Sequence, residues 1–448
     1  MGKTGISLLC LLISFHAFSG SVDYLSNQSP GMVRNFSRTA ATGSLDGILY
    51  NPAGLTRNRD GLYLSLGNQY LLKDYTQNPT TRKDTVINGD TVTSYIIDTT
   101  FKAGNPTFLL PNMITMYKRG KWGGYLAFGI PAGGGELKFE DGISTLHKSV
   151  YRSIIGEAKT SAKLKSVYYG INFGMAFAFH EMISISLGGR GIIGRKKVTL
   201  ASDSGVSMAT GQIDSVTGTA IMDTASMDID MDLKSQGIGA VIGINISPAR
   251  FLDIGLRYET RTVLDWETTF SNRGNYFGEI ALLGQQYQHG GVEERDLPPR
   301  ISAGAAVRPL DGWEFSCSWT YHMITAVNWR NYNDSVIRNE HYDNGYDLAL
   351  GIEYSVMNRL LLSSSYNYAD LGGNSRTWSD FEMALDAHAA GLGGEFSITP
   401  GLGLEFGYAR IWYVDGQKED LVFSSWAPTV IYTKDVQIFA LALNWKIG

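Results

Sequence analysis

The sequence predicts an all-β fold, a transmembrane antiparallel β-barrel of about 14 strands with an N-terminal hatch inside its lumen. Three observations carry that prediction. A hairpin unit recurs in Gly239–Thr260, Ser302–Thr320, Ala349–Tyr368 and Ala390–Arg410, each a Gly-dotted strand, a tight turn (SPAR, RPLDG, SVMN, SITPG) and an aromatic-ended strand. Short turns alternate with long polar connections, as in barrels that cross an outer membrane. Finally, the apolar residues of each strand occupy one parity while the other parity is small or charged.

The first element lies outside the fold. Lys3, the apolar run Ile6–Phe18 and the small-x-small stretch Ala17-Phe18-Ser19 form a secretory signal at residues 1–19, too short for a spanning helix. Cys10 sits within that run, away from the cleavage point, which argues against a lipid anchor. Cys317 is then the remaining thiol and behaves as a small apolar side chain. With 52 Gly, 24 Tyr and 12 Pro, a charged fraction of 18% and a net charge of −5, the chain suits many strands with aromatic girdles. No basic patch suggests nucleic acid as a partner.

Residues 20–60 come next and do not alternate. They hold MVRNFSRTAATGSLDGILYNPAGLTR, rich in Gly, Ala and Ser with short apolar clusters. About 14 strands enclose a lumen too wide for wall side chains to fill, so this segment reads as a hatch, with a soluble tail as the alternative. Residues 61–448 form the barrel.

Strands are expected near 61–73, 112–118, 122–130, 166–178, 182–196, 236–246, 251–265, 300–308, 312–327, 347–355, 359–368, 388–397, 401–413 and 434–447. In the seventh, Leu252, Ile254, Leu256 and Tyr258 face lipid, whereas Asp253, Gly255, Arg257, Glu259 and Arg261 face the lumen. A one-residue slip would put those charges into lipid, so the register is strongly specified. Trp313, Phe315, Cys317, Trp319 and Tyr321 alternate in the same way with Glu314, Ser316, Ser318, Thr320 and His322. Tight turns and both chain ends fall on the periplasmic side. In the first outer connection, near 75–111, Asn88-Gly89 marks a hairpin standing above the membrane; were it to span, the count would be about 16. The connection near 197–235 carries Asp203, Asp214, Asp223, Asp228, Asp230 and Asp232. It reads as a solvated acidic loop, calcium being the alternative, without the ligand spacing of a known loop.

SLDGILYNPAGL followed at once by an alternating strand resembles the start of the FadL/TodX (OMPP1) family of outer-membrane transporters for long-chain fatty acids and hydrocarbons. The match rests on Asn51, Pro52 and Ala53, which stand where that family carries its hatch motif, and extends to RPLDGWEFSCSWTYHMITAVNW after DLPPR. The terminal WKIG departs from the family pattern by lacking a final aromatic residue. The resemblance implies a monomer in the outer membrane, in contact with its lipid, that takes up a long-chain fatty acid or another hydrophobic small molecule. It also implies a pocket beside the hatch and a sideways exit at an inward-kinked third strand. Gly123, Gly124, Gly129 and Pro131 are the candidate gate residues there. Glycine weakens pairing and Pro131 removes a donor, although the same glycines would equally serve to pack under a hatch. Phe36, Leu45, Ile48, Leu49 and Leu55 are candidate ligand contacts because the hatch lies there. No catalytic constellation, metal-ligand spacing or cofactor motif stands out. A diffusion porin for small polar solutes, its lumen lined by residues such as Arg190, Arg257, Glu259, Glu353 and Glu405, is the alternative function.

Overall fold

Alternation decides the architecture. On the first strand, β1 (Gly61–Ile87), Ser65, Gln69, Lys73 and Gln77 are buried while Leu62, Leu66 and Leu72 are exposed. Apolar side chains outside and polar ones inside is the inverse of a soluble sandwich and fits a wall with lipid on its outer face. The computed structural model describes residues 28–87, 90–98, 100–144, 160–202, 206–213, 220–225, 228–273, 289–327, 329–330, 341–419 and 429–447. The expected signal peptide falls outside the described residues.

The wall continues as β2 (Thr107–Arg119), β3 (Trp122–Phe139), β4 (Thr160–His180), β5 (Ile183–Ser202), β6 (Asp228–Ala249) and β7 (Leu252–Glu259). It is completed by β8 (Arg300–Val307), β9 (Trp313–His322), β10 (Gly345–Val356), β11 (Leu360–Asp370), β12 (Ala387–Thr399), β13 (Leu402–Tyr413) and β14 (Thr429–Ile447). Each pairs antiparallel with its neighbours, and β1 pairs with both β2 (Gly61↔Lys118) and β14 (Leu62↔Ile447), which closes a barrel of 14 strands. Closure joins the first and last strands of the sheet, which would otherwise be its open edges.

Several strands run far past the membrane. β1 has 27 residues, whereas about 9–11 cross a bilayer. Its outer end pairs with Asp90–Asp98, Ile87 opposite Asp90, so the predicted hairpin rises above the wall without adding a spanning strand. Asn88-Gly89 itself lies outside the described residues. Within the acidic connection, Val206–Ile213 and Ala220–Ala225 pair as a separate two-stranded ribbon. The seventh strand is shorter than expected. It ends at Glu259, and beyond it the parity inverts: Thr262 and Leu264 are buried while Arg261 and Val263 are exposed. Arg261 therefore does not face the lumen. The cause is a break in the ladder, with Thr260 N bonding Ala240 O at 3.0 Å and Thr262 bridging Leu297 before pairing resumes in Asp265–Asn272.

Inside the wall lies the chain's own N-terminal segment. A five-residue helix α1 (Pro30–Arg34) starts at Ser29, whose Oγ accepts from Met32 N at 3.1 Å, with Pro30 preset for the first turn. Two 3-10 turns follow, Leu45–Leu49 and Pro52–Arg57. Met32, Val33, Phe36, Ile48, Leu49 and Leu55 are buried in one apolar cluster with inward residues of the wall.

Candidate functional site

Polar side chains tie the inner segment to the wall on several sides. Arg34 Nε lies 2.7 Å from Glu405 Oε1 on β13, and its Nη1 lies 2.5 Å from Glu353 Oε1 on β10 and 2.6 Å from Ser363 Oγ on β11. Thr42 Oγ1 donates to Asp253 on β7 at 2.8 Å, and Ser37 pairs with Ser318 on β9 at 2.9 Å. Asp46 is fully enclosed, bonded by Arg38, by Ser44 Oγ at 2.5 Å and by Ser29 Oγ at 2.8 Å. Burial alone would raise its carboxyl pKa; Arg38, and behind it Arg34 and Ser44, hold it below the ordinary value. Tyr50 is pushed up, first by burial and then by the Asp46 charge.

Asn51, Pro52 and Ala53 are packed against the wall. Asn51 caps the 3-10 turn by accepting from Ala53 N at 3.3 Å, and its Nδ2 donates to Ile244 O on β6 at 3.0 Å. Ser184 Oγ on β5 donates to Ala53 O at 2.9 Å. Gly243 and Gly255 face this spot, and a Cβ at either would run into the Asn51 amide.

Next to α1 is a small cavity. Met32, Phe36 and Ala349 supply apolar wall, and Arg257 and Arg300 supply charge. Three guanidiniums converge there on one carboxylate. Arg257 Nη2 and Arg300 Nη2 each lie 2.7 Å from Glu259 Oε1, and Arg190 holds the other oxygen. Among the described residues Arg257 Nε has no hydrogen-bond partner. Of the five predicted ligand contacts, Phe36 lines this cavity; Leu45, Ile48 and Leu49 pack in the core, and Leu55 covers Gly123 at the base of β3.

The second feature is a gap in the wall. β2 and β3 pair from Arg119↔Trp122 up to Met113↔Phe128 and no further, while β2 continues along β1 as far as Thr107. β3 keeps β4 as partner, with shifts between Gly129 and Ala132 and between Ala132 and Gly135. Its alternation stops here: Gly129, Ile130, Pro131, Ala132 and Gly133 are all buried. The run of consecutive buried residues coincides with the two register shifts against β4, where the strand loses its two-faced alternation. Gly133 (φ 86°) and Gly135 (φ 82°) take left-handed backbone that glycine adopts without strain. Pro131 sits over Gly170, which leaves room for its ring. Above the gap Thr107 Oγ1 reaches Gly134 O (3.1 Å), and Lys73 Nζ reaches Gly134 O (3.0 Å) and Glu136 O (2.5 Å). Gly129 and Pro131 thus stand at the bend. Gly123 and Gly124 sit lower, in the paired part of β3.

At the outer mouth, Asp380, Phe381, Glu382, Met383 and Leu385 fold inward from the connection between β11 and β12. Arg295 pairs with Glu382 and stacks 3.8 Å from the Trp329 ring centroid, and Phe381 meets Phe139 edge-on at 6.0 Å.

Sequence reading missed Arg300, the Thr107–Lys73 closure and Asn112. Arg300 ends the DLPPR stretch, and only its register opposite Glu259 gives it a role.

An apolar outer wall around an interior that holds buried charges and takes in residues 28–57 is the architecture of an outer-membrane barrel. The chain belongs to the outer membrane protein transport protein (OMPP1/FadL/TodX) family, whose model matches residues 10–446. Among solved structures it is similar to a Pseudomonas aeruginosa FadL homologue, with TM-score 0.69 and 15% identity over 94% of this chain and 98% of that one. It is also similar to the P. putida toluene transporter TodX, with TM-score 0.58 and 10% identity over 90% and 94%. A third is the Ralstonia pickettii toluene transporter TbuX, with TM-score 0.57 and 13% identity over 93% and 99%. No curated protein matches in sequence. The protein is a Gram-negative outer-membrane transporter of hydrophobic molecules.

Proposed function

We propose that the cargo is a long-chain fatty acid, taken up by a monomer and released sideways into the membrane between β2 and β3. Cargo caught by the outer loops passes the inward-folded Phe381 region and settles beside the inner segment, which acts as the hatch. The observation that carries this route is the end of the β2–β3 ladder at Met113↔Phe128, with the alternation of β3 lost above it. An opening at that height faces lipid, where an apolar molecule is already solvated. The head-group class is supported by Arg257, which lines the cavity with an Nε that has no hydrogen-bond partner among the described residues, a donor that an acid head can use.

A photoactivatable C16 fatty acid added to cells tests the reading. Crosslinks are expected on Thr107–Asn112 and Ile130–Gly135. Labels confined to the periplasmic turn Arg308–Gly312 would overturn lateral release. A large steady single-channel conductance with no fatty-acid uptake would favour a porin instead.

A further inference from the structure

Asn112 is the first residue of β2 above the point where its ladder to β3 ends. Its side chain points into the lumen and is 4% exposed, yet among the described residues neither amide atom, Nδ2 or Oδ1, has a hydrogen-bond partner. A buried, unsatisfied amide costs on the order of 1–3 kcal/mol, and natural interiors hold few of them. Space is kept for it: a Cβ on Gly67, its register partner on β1, would collide with Asn112 Oδ1. Gly129 at the start of the β3 bend lies beside Asn112 Cβ, and Pro30 of the inner segment is on the same side. A neighbouring asparagine is fully bonded. Asn68 on β1 accepts from Leu110 N and donates to Phe108 O, both at 3.1 Å, beside the register shift between β1 and β2. The unmet polar demand sits on the inner threshold alone among these two asparagines.

Resting on lateral release, we infer that Asn112 is an exit-site residue that hydrogen-bonds the polar head of the departing cargo. A primary amide offers two donors and an acceptor. It therefore matches a head that carries both an acceptor and a donor, the un-ionised carboxyl of a fatty acid or the hydroxyl of a fatty alcohol. A carboxylate would meet the donors but face Oδ1 with like charge. The neutral amide suits an un-ionised head at the threshold of lipid, where a charge is costly. The amide has no partner in this arrangement, so a head that reaches the threshold gains a bond there.

The test compares uptake of palmitic acid, hexadecanol and hexadecane by cells carrying the native chain, Asn112→Leu or Asn112→Ser. Asn112→Leu should slow the acid and the alcohol about three- to tenfold, the size of a neutral hydrogen bond or two. It should leave hexadecane uptake and equilibrium palmitate binding within twofold. Asn112→Ser, which keeps a donor and an acceptor, should recover part of the loss. Heat-modifiable migration establishes that each variant is folded, and Gly67→Ala, which displaces the amide without removing it, is expected to mimic Asn112→Leu. Equal slowing of all three cargos, or no change in any, would overturn the inference. If the photoactivatable fatty acid labels the β2–β3 gap while the variants show no head-group dependence, the role of Asn112 alone fails. If the gap is never labelled, lateral release and this inference fall together.

Discussion

Arg34 joins residues 371 positions apart: its Nε donates to Glu405 Oε1 at 2.7 Å while its Nη1 reaches Glu353, so one guanidinium fastens α1 to β13 and β10. All three groups are buried. Removing one partner of such a set leaves uncompensated charge in a low-dielectric interior, which typically costs about 3–5 kcal/mol.

Arg34→Met is therefore expected to lower unfolding stability by about 3 kcal/mol and to expose the inner segment to protease before the wall opens. Urea unfolding with limited proteolysis measures both. Full protection of residues 28–60 in the variant would remove Arg34 as the main tether.

Asn51 and Pro52 give a second expectation. Asn51→Ala with Pro52→Ala removes a cap and the bond to Ile244 O, a loss of about 1–2 kcal/mol. The barrel should still migrate as folded, while leakage of a large antibiotic through the outer membrane rises and fatty-acid uptake falls. Normal permeability and uptake would reduce the motif to a turn.

Acid should loosen the inner segment. The native carboxyl of Asp46 titrates below its ordinary value because Arg38 outweighs burial. A group depressed on folding contributes stability that is complete above its unfolded pKa, about 3.9, and is lost as pH falls through the lower native value. Protease protection of the segment should be flat from pH 7 to about 5 and fall below about 4. Asp46→Asn should flatten that acid limb; an unchanged limb would assign it to other groups.

Bending of β3 depends on left-handed backbone at Gly133. Gly133→Val places a β-branched residue at φ 86° and drives its Cβ against Ser166 O of β4. About 1–3 kcal/mol of strain should pull this stretch away from its bent path, slowing fatty-acid uptake while binding stays within twofold. Unaltered uptake in a folded variant would detach the bend from release.

Sequence alone determined the wall. The parity of Trp313–Tyr321 against Glu314–His322, repeated hairpin by hairpin, fixes the faces because a strand turns its side chains with period two whatever surrounds it. Compartment and family follow from that pattern and from Asn51, Pro52 and Ala53. Legibility failed where the ladder is interrupted. Arg261 keeps the parity of β7 on paper, but the break after Glu259 turns it outward. At β3 the glycines and Pro131 permitted a bend without requiring one. Whether pairing ends at Met113↔Phe128 depends on β1 and β4 holding their partners in closed register. Arg190, Arg257, Glu259 and Arg300 stand on three strands and converge only through the register of the strand pairings, and Asn112 becomes an unsatisfied amide only once Gly67 and Gly129 are set beside it. Local periodicity encodes the direction a side chain takes; what it meets there is decided by strands far away in the chain, and tertiary structure alone brings those together.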